Sequence, residues 1–180
     1  GEWDEARKYF EEARDLAQKT DAIGAEGRAL GHLADTYMQE GNASYAVHLL
    51  KDALAKLDES GDIELSSYFV GRLGQALIAN GEEAEGVEML GRALRMAEDM
   101  EYLEYVRRWR LVLAVEAARM KNYAEVKRQL VRTLPLFENM ETTPDYITLL
   151  ARLSKTCLTL HEYEDALGYA RRAVEFATPF

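Results

Sequence analysis

The chain has 180 residues, 48% hydrophobic and 30% charged, with a net charge of −10, three prolines and one cysteine. A single cysteine excludes a disulfide framework within the chain and makes a reducing cytoplasm the expected compartment. The acidic balance disfavours direct nucleic-acid binding and attachment to anionic membranes, and no apolar run reaches the roughly 20 residues of a membrane-spanning helix.

In chain order, the pattern repeats itself at a shift of 40 residues. Gly1, Gly41, Gly81, Lys121 and His161 fall in one register, Ala6, Ala46, Gly86, Val126 and Ala166 in a second, and Leu33, Leu73, Leu113 and Leu153 in a third. Periods of this size mark solenoid repeats. Residues 1–20 carry one amphipathic run, expected as a lone helix over roughly 2–20 with Trp3, Tyr9, Phe10 and Leu16 on its outer face. Residues 21–60 carry two. Leu30, Leu33, Ala34 and Tyr37 stand three or four apart, Gly41 breaks the run, and Ala46, Leu50, Ala53, Leu54 and Leu57 line the second. Ser60, Gly61 and Asp62 then supply turn and cap chemistry. Residues 61–100, 101–140 and 141–180 repeat this hairpin, predicting nine helices in all, each hairpin burying its apolar face only against its neighbours. Opening at Gly1 on a helix of the second type, the chain is expected to be a fragment of a larger protein, single in domain. Its end faces, Ala170, Val174, Phe176 and Phe180 at the far end, are expected to lie uncovered and to promote self-association.

Catalytic and metal chemistry find no constellation. Cys157 and His161 stand four apart, but Cys157 occupies the slot of Tyr37, so it reads as a small buried apolar residue with His161 as a cation at a helix end. His32 and His48 have no ligand partners at metal spacing, and no glycine-rich loop follows a strand. No cofactor or metal and no enzymatic activity are expected.

The hairpin sequence resembles the tetratricopeptide repeat (TPR). The second unit reads Leu30, Leu33, Ala34, Tyr37, Gly41, Ala46, Leu50, Ala53, and the third Val70, Leu73, Gly74, Leu77, Gly81, Gly86, Leu90, Ala93. The fourth (Arg110, Leu113, Ala114, Ala117, Lys121, Val126, Leu130, Thr133) and the fifth (Leu150, Leu153, Ser154, Cys157, His161, Ala166, Ala170, Ala173) have drifted, while Trp3, Tyr123 and Tyr163 keep an aromatic just inside the second helix. The family's period is about 34 residues and commonly closes on proline; here Asp58, Glu98 and Glu138 take that place. The six extra residues, expected to lengthen the helices and the loop between units, resemble the long-repeat branch of spindle-orientation adaptors and bacterial ATPase-coupled transcription regulators. Glu26-Gly27-Arg28-Ala29 is similar to the adaptors in particular, with Asp35 where those proteins usually carry asparagine.

The resemblance implies a right-handed, all-α solenoid whose first helices line a concave groove. In the second unit its positions are Arg28, Gly31, His32, Asp35, Met38 and Gln39, and in the third Tyr68, Gly71, Arg72, Gln75, Ile78 and Ala79. The fourth contributes Arg108, Leu111, Val112, Val115, Ala118 and Arg119, and the fifth Thr148, Ala151, Arg152, Lys155, Leu158 and Thr159. Six cations stand against Asp35 alone, so an acidic chain is expected to present a basic groove with apolar pockets, suited to an acidic, partly apolar segment of a partner protein. The alternative is that carboxylates of the chain itself neutralise these arginines. Gly31 and Asp35 stand where the co-chaperone branch grips a C-terminal carboxylate, which disfavours a chaperone-tail clamp. Two roles fit: an interaction scaffold, or the ligand- or peptide-sensing arm of a larger signalling or transcription regulator.

Overall fold

The computed structural model describes residues 2–137 and 143–177, so the expectations for Glu138 and Phe180 lie outside the described residues. Among these there is no strand. The helices are α1 (Glu2–Lys19), α2 (Ile23–Gln39), α3 (Ala43–Ser60), α4 (Ile63–Ala79), α5 (Glu83–Asp99), α6 (Leu103–Arg119), α7 (Tyr123–Thr133), α8 (Pro144–Thr159) and α9 (Tyr163–Ala177). A 3-10 turn at Leu134–Phe137 follows α7, because Pro135 cannot donate its amide to an α-helical ladder. The contacts gather into two compact units, Gly1–Tyr102 with α1–α5 and Leu103–Phe180 with α6–α9, and within each unit helices adjacent in sequence pack antiparallel.

The connectors explain the strict phase. Seven times among the described residues, at spacings of 20 and once 40, an amide reaches back to the carbonyl five residues earlier: Ala22 to Ala17, Asn42 to Tyr37, Asp62 to Leu57, Glu82 to Leu77, Tyr102 to Ala97, Asn122 to Ala117 and Glu162 to Cys157, at 2.8–3.0 Å. This is the Schellman closure of a helix end, and it needs a left-handed residue just before the donor. Gly41, Gly61 and Gly81 supply it without strain, whereas Asp21, Glu101, Lys121 and His161 adopt positive φ (50–61°) as non-glycine residues. Asn42, Asp62 and Asn122 then turn their side chains onto the amide three residues on, so the residue that closes one helix caps the next. The extra residues of the long repeat lie in the helices. The connectors ahead of α2, α4 and α6 are as short as those inside hairpins, contrary to the expected longer loop; the α7–α8 connection alone is extended.

In the first unit Leu30, Leu33, Ala34, Leu50, Ala53, Leu57, Phe69, Leu73 and Leu77 form one core; in the second Ala114, Val126, Leu130, Phe137, Tyr146, Leu149, Leu150 and Leu153 form another. Two core rows lie outside the family pattern: Glu26, Ser66, Val106 and Tyr146, and Ala29, Phe69, Trp109 and Leu149, all buried and each 40 residues apart. Trp109, fully buried, is the largest side chain of the core. Arg110, in a core slot of the repeat pattern, is only half-buried. On α1, Trp3, Tyr9 and Leu16 are exposed as expected, but Phe10 packs onto the first core.

Candidate functional site

The residues of the first unit that were expected to line a groove lie on α2 and α4, and most are satisfied internally. Arg72 places Nε and Nη2 each 2.6 Å from Asp35 Oδ1, and its Nη1 donates to Gln75 Oε1 at 2.8 Å. Arg28 lies 3.7 Å from Asp62 and is largely exposed. His32 is sandwiched between Phe10, stacked at 5.4 Å, and Phe69, edge-on at 5.3 Å, with Nδ1 3.9 Å from Asp35. The Phe69 ring fills the space in front of Gly31, where a Cβ would stand 2.3 Å from it. Ile78 is 9% exposed and packs onto Gly86, so it offers no surface pocket. Met38 and Tyr68 lie half-buried against the core.

The second unit is different. Between α6 and α8 lie two clefts that share Arg152. One, about 330 Å³, is walled by Ala114, Val115, Ala118, Val126 and Leu130, with Tyr123, Thr156, Thr159 and two cations, Arg152 and Lys155, and no acid. The other, about 490 Å³, sets Leu111, Val112, Phe137 and Leu149 beside Arg107, Arg108 and Arg152, with Glu104 and Asp145 among them. The Arg107 guanidinium stands 5.2 Å above the Phe137 ring. Arg152 and Lys155 are exposed and make no ion pair among the described residues. Arg119 is held by Glu116 on its own helix at 3.0 Å, and Leu158, half exposed, lines neither cleft.

The 40-residue phase accounts for the contrast. Arg72 of the third repeat reaches Asp35 of the second and Gln75 of its own. Arg152 stands at the position of Arg72 two repeats on; the positions of its two partners hold Val115 and Lys155. The acceptors have become a hydrophobe and a second cation, so Arg152 has nothing to fold onto. Residues that reasoning confined to first helices did not include are Tyr123, Val126 and Leu130 of α7, which wall the smaller cleft, and Phe137 of the 3-10 turn.

A second cluster lies at the α8–α9 turn. Lys127 donates to Glu162 at 2.6 Å and Asp165 at 2.8 Å, and the two carboxylates hold its ammonium above the ordinary lysine range. Cys157 is fully buried beside them; burial pushes its thiol up, which keeps it protonated and unreactive. Cys157, Glu162 and Asp165 offer donor atoms within 4.8 Å of one another, but the Lys127 ammonium already pairs with both carboxylates, so the cluster is an ion pair tying α7 to α9. The His161 ring instead meets the Tyr163 hydroxyl at 3.0 Å. The arrangement offers anion recognition beside apolar surface, between α6 and α8.

No family model matches the sequence, and no curated protein matches it. Solved structures do. BtubC (BKLC) from P. vanneervenii is similar over 99% of this chain and 73% of its own, at 20% identity and a TM-score of 0.81. The nearly identical TPR-like repeats of a putative kinesin light chain from Podosopora anserina are similar over 99% of this chain and 89% of their own, at 17% identity and a TM-score of 0.75. A Rap protein complexed with Competence and Sporulation Factor is similar over 96% of this chain, which spans 58% of that protein, at 14% identity and a TM-score of 0.67. At these identities the likeness is one of fold, and the fold is that of TPR-like helical-hairpin repeats.

Proposed function

We propose that the chain is a non-catalytic protein-interaction scaffold, and that the clefts between α6 and α8 bind an acidic, partly apolar segment of a partner protein. The observation that carries this reading is Arg152, a guanidinium shared by two clefts whose inherited acceptors are replaced by Val115 and Lys155. Arginine forks pair with carboxylates, and the apolar wall of the smaller cleft adds burial for a neighbouring side chain. The first unit contributes less to such a surface, since Arg72 is spent on Asp35 and Gln75. The second reading, a sensing arm of a larger regulator, draws on the fold shared with a Rap protein solved with Competence and Sporulation Factor.

The test restores the lost acceptor. Random 12-residue peptides displayed on phage are selected on the immobilised chain, and enrichment of Asp or Glu beside bulky apolar residues is expected. Val115→Asp, which gives Arg152 the partner that Arg72 has, should lose those peptides about as completely as Arg152→Glu with Lys155→Glu, while helical content stays unchanged. Selected peptides without acids, or capture that survives Val115→Asp and the double reversal, would overturn the reading.

A further inference from the structure

Helix α9 carries an exposed apolar stripe that the proposed cleft does not use. Tyr163, Leu167, Ala170 and Val174 stand at i, i+4, i+7 and i+11, the spacing of a two-helix seam, and Tyr163, Leu167 and Val174 are 63, 52 and 66% exposed. Beside the stripe run Glu164 and Arg171, seven residues apart and therefore on one flank, both exposed, and neither has an ion-pair partner among the described residues. A residue seven positions from an opposite charge on one flank is self-complementary when the helix meets a copy of itself running the other way. In the antiparallel register that sets Tyr163 against the copy's Val174 and Leu167 against its Ala170, Glu164 faces position 173. That leaves Arg171 only about 3 Å further along the axis. The two-fold axis then makes the same contact twice, the signature of an isologous interface.

We infer that α9 is a homodimerisation helix, pairing antiparallel with α9 of a second copy through this stripe and two reciprocal Glu164–Arg171 ion pairs. The 15 residues of the helix span about 22 Å, so the patch falls at or below the low end of specific interfaces and the dimer is weak, forming at about micromolar to millimolar concentration. A parallel pairing would instead set Glu164 against Glu164.

Sedimentation equilibrium of the chain between about 10 μM and 1 mM tests this. Wild type should approach dimer mass, and Leu167→Glu should remain monomeric. Arg171→Glu alone and Glu164→Arg alone should each weaken association by roughly five- to tenfold, since each turns two attractions into two repulsions. An equimolar mixture of these two single variants should dimerise with wild-type strength, because each Glu then meets an Arg of the other copy. All three substituted positions are exposed, so circular dichroism should be unchanged. A wild-type monomer at 1 mM, a dimer that tolerates Leu167→Glu, or a mixture no stronger than its components would overturn the inference.

Discussion

Gly86→Ala should destabilise the first unit, while Gly91→Ala, five residues along the same helix, should stabilise it. A Cβ on Gly86 would lie 2.6 Å from the Gly74 carbonyl oxygen, 2.5 Å from Ile78 Cγ1 and 3.0 Å from the Ile78 amide nitrogen. Reciprocally, a Cβ on Gly74 would lie 2.7 Å from the Gly86 carbonyl oxygen, so α4 and α5 touch through main chain. Backbone cannot rotate aside; the helices must separate, and overpacking of this kind costs about 1–3 kcal/mol. Against it stands the helix-propensity gain of Ala over Gly, about 1 kcal/mol, leaving a net loss of up to about 2 kcal/mol. At Gly91 the new methyl meets only Arg95 Nη1 at 3.5 Å, so the propensity gain stands alone. The propensity gain is common to both, so the two variants differ by the overpacking cost, about 1–3 kcal/mol, or about 1 M in urea midpoint at a slope near 2 kcal/mol/M. Equilibrium urea unfolding followed by far-ultraviolet circular dichroism measures this directly. A Gly86→Ala midpoint at or above wild type would refute the close approach of α4 and α5.

Glu101→Gly should add about 1 kcal/mol, because it relieves a left-handed residue at φ 57° and removes a carboxylate from the negative end of α5; an unchanged urea midpoint would argue that the connector relaxes at no cost. Arg72→Glu should cost about 2 kcal/mol or more, since it sets a second carboxylate against half-buried Asp35, and Arg72→Met should cost less; equal losses would mean that the ion pair is indifferent. Glu26 is buried and accepts from Gln18 at 2.8 Å and Lys56 at 2.9 Å, and these, Gln18 first, hold its carboxyl below the ordinary glutamate range. A depressed folded-state value stabilises above the unfolded value near 4.3 and loses that stability as pH falls through the folded value. Glu26→Gln should accordingly cost about 1–2 kcal/mol at pH 7, a deficit that shrinks as denaturation is repeated toward pH 3; a deficit constant with pH would exclude the charge as its source.

The helix count and the phase of the repeat are legible in the sequence because the pattern runs without insertion: the left-handed residues at 21, 41, 61, 81, 101 and 121 recur every 20 positions, and that at 161 follows 40 further on. Reading Cys157 as a buried small residue followed from the slot it shares with Tyr37, and it is fully buried. What a family pattern hides is whatever the family leaves variable. The buried row Ala29, Phe69, Trp109 and Leu149 mixes side-chain sizes too freely to read as a register, yet all four positions are buried. Glu26 was read as part of a motif, whereas its burial depends on Gln18 and Lys56, which lie on the helices either side and leave no periodic trace. The shortened α7 was foreshadowed only by Pro135, a residue outside the registers used to place the helices.

The fate of the arginines expected at first-helix groove positions was not legible, and the reason lies in the phase. Lining an element with cations says nothing about which will be consumed by the chain, because the consuming carboxylate stands on the preceding repeat, 37 residues away in the case of Arg72 and Asp35. Only after the repeat is known to hold its phase does position 115 become the place to look for the partner of Arg152, and there the chain has valine. The connectors are what hold that phase: at Asn42, Asp62 and Asn122 the backbone N–H donates a hydrogen bond back to one helix and the side chain caps the next. A one-residue insertion within α6, ahead of Val115, would turn the positions that follow in that helix by about 100°, moving Val115 off the cleft. The chemistry of the clefts can therefore vary through single substitutions, because the capping residues that set the frame are separate from those that face the clefts.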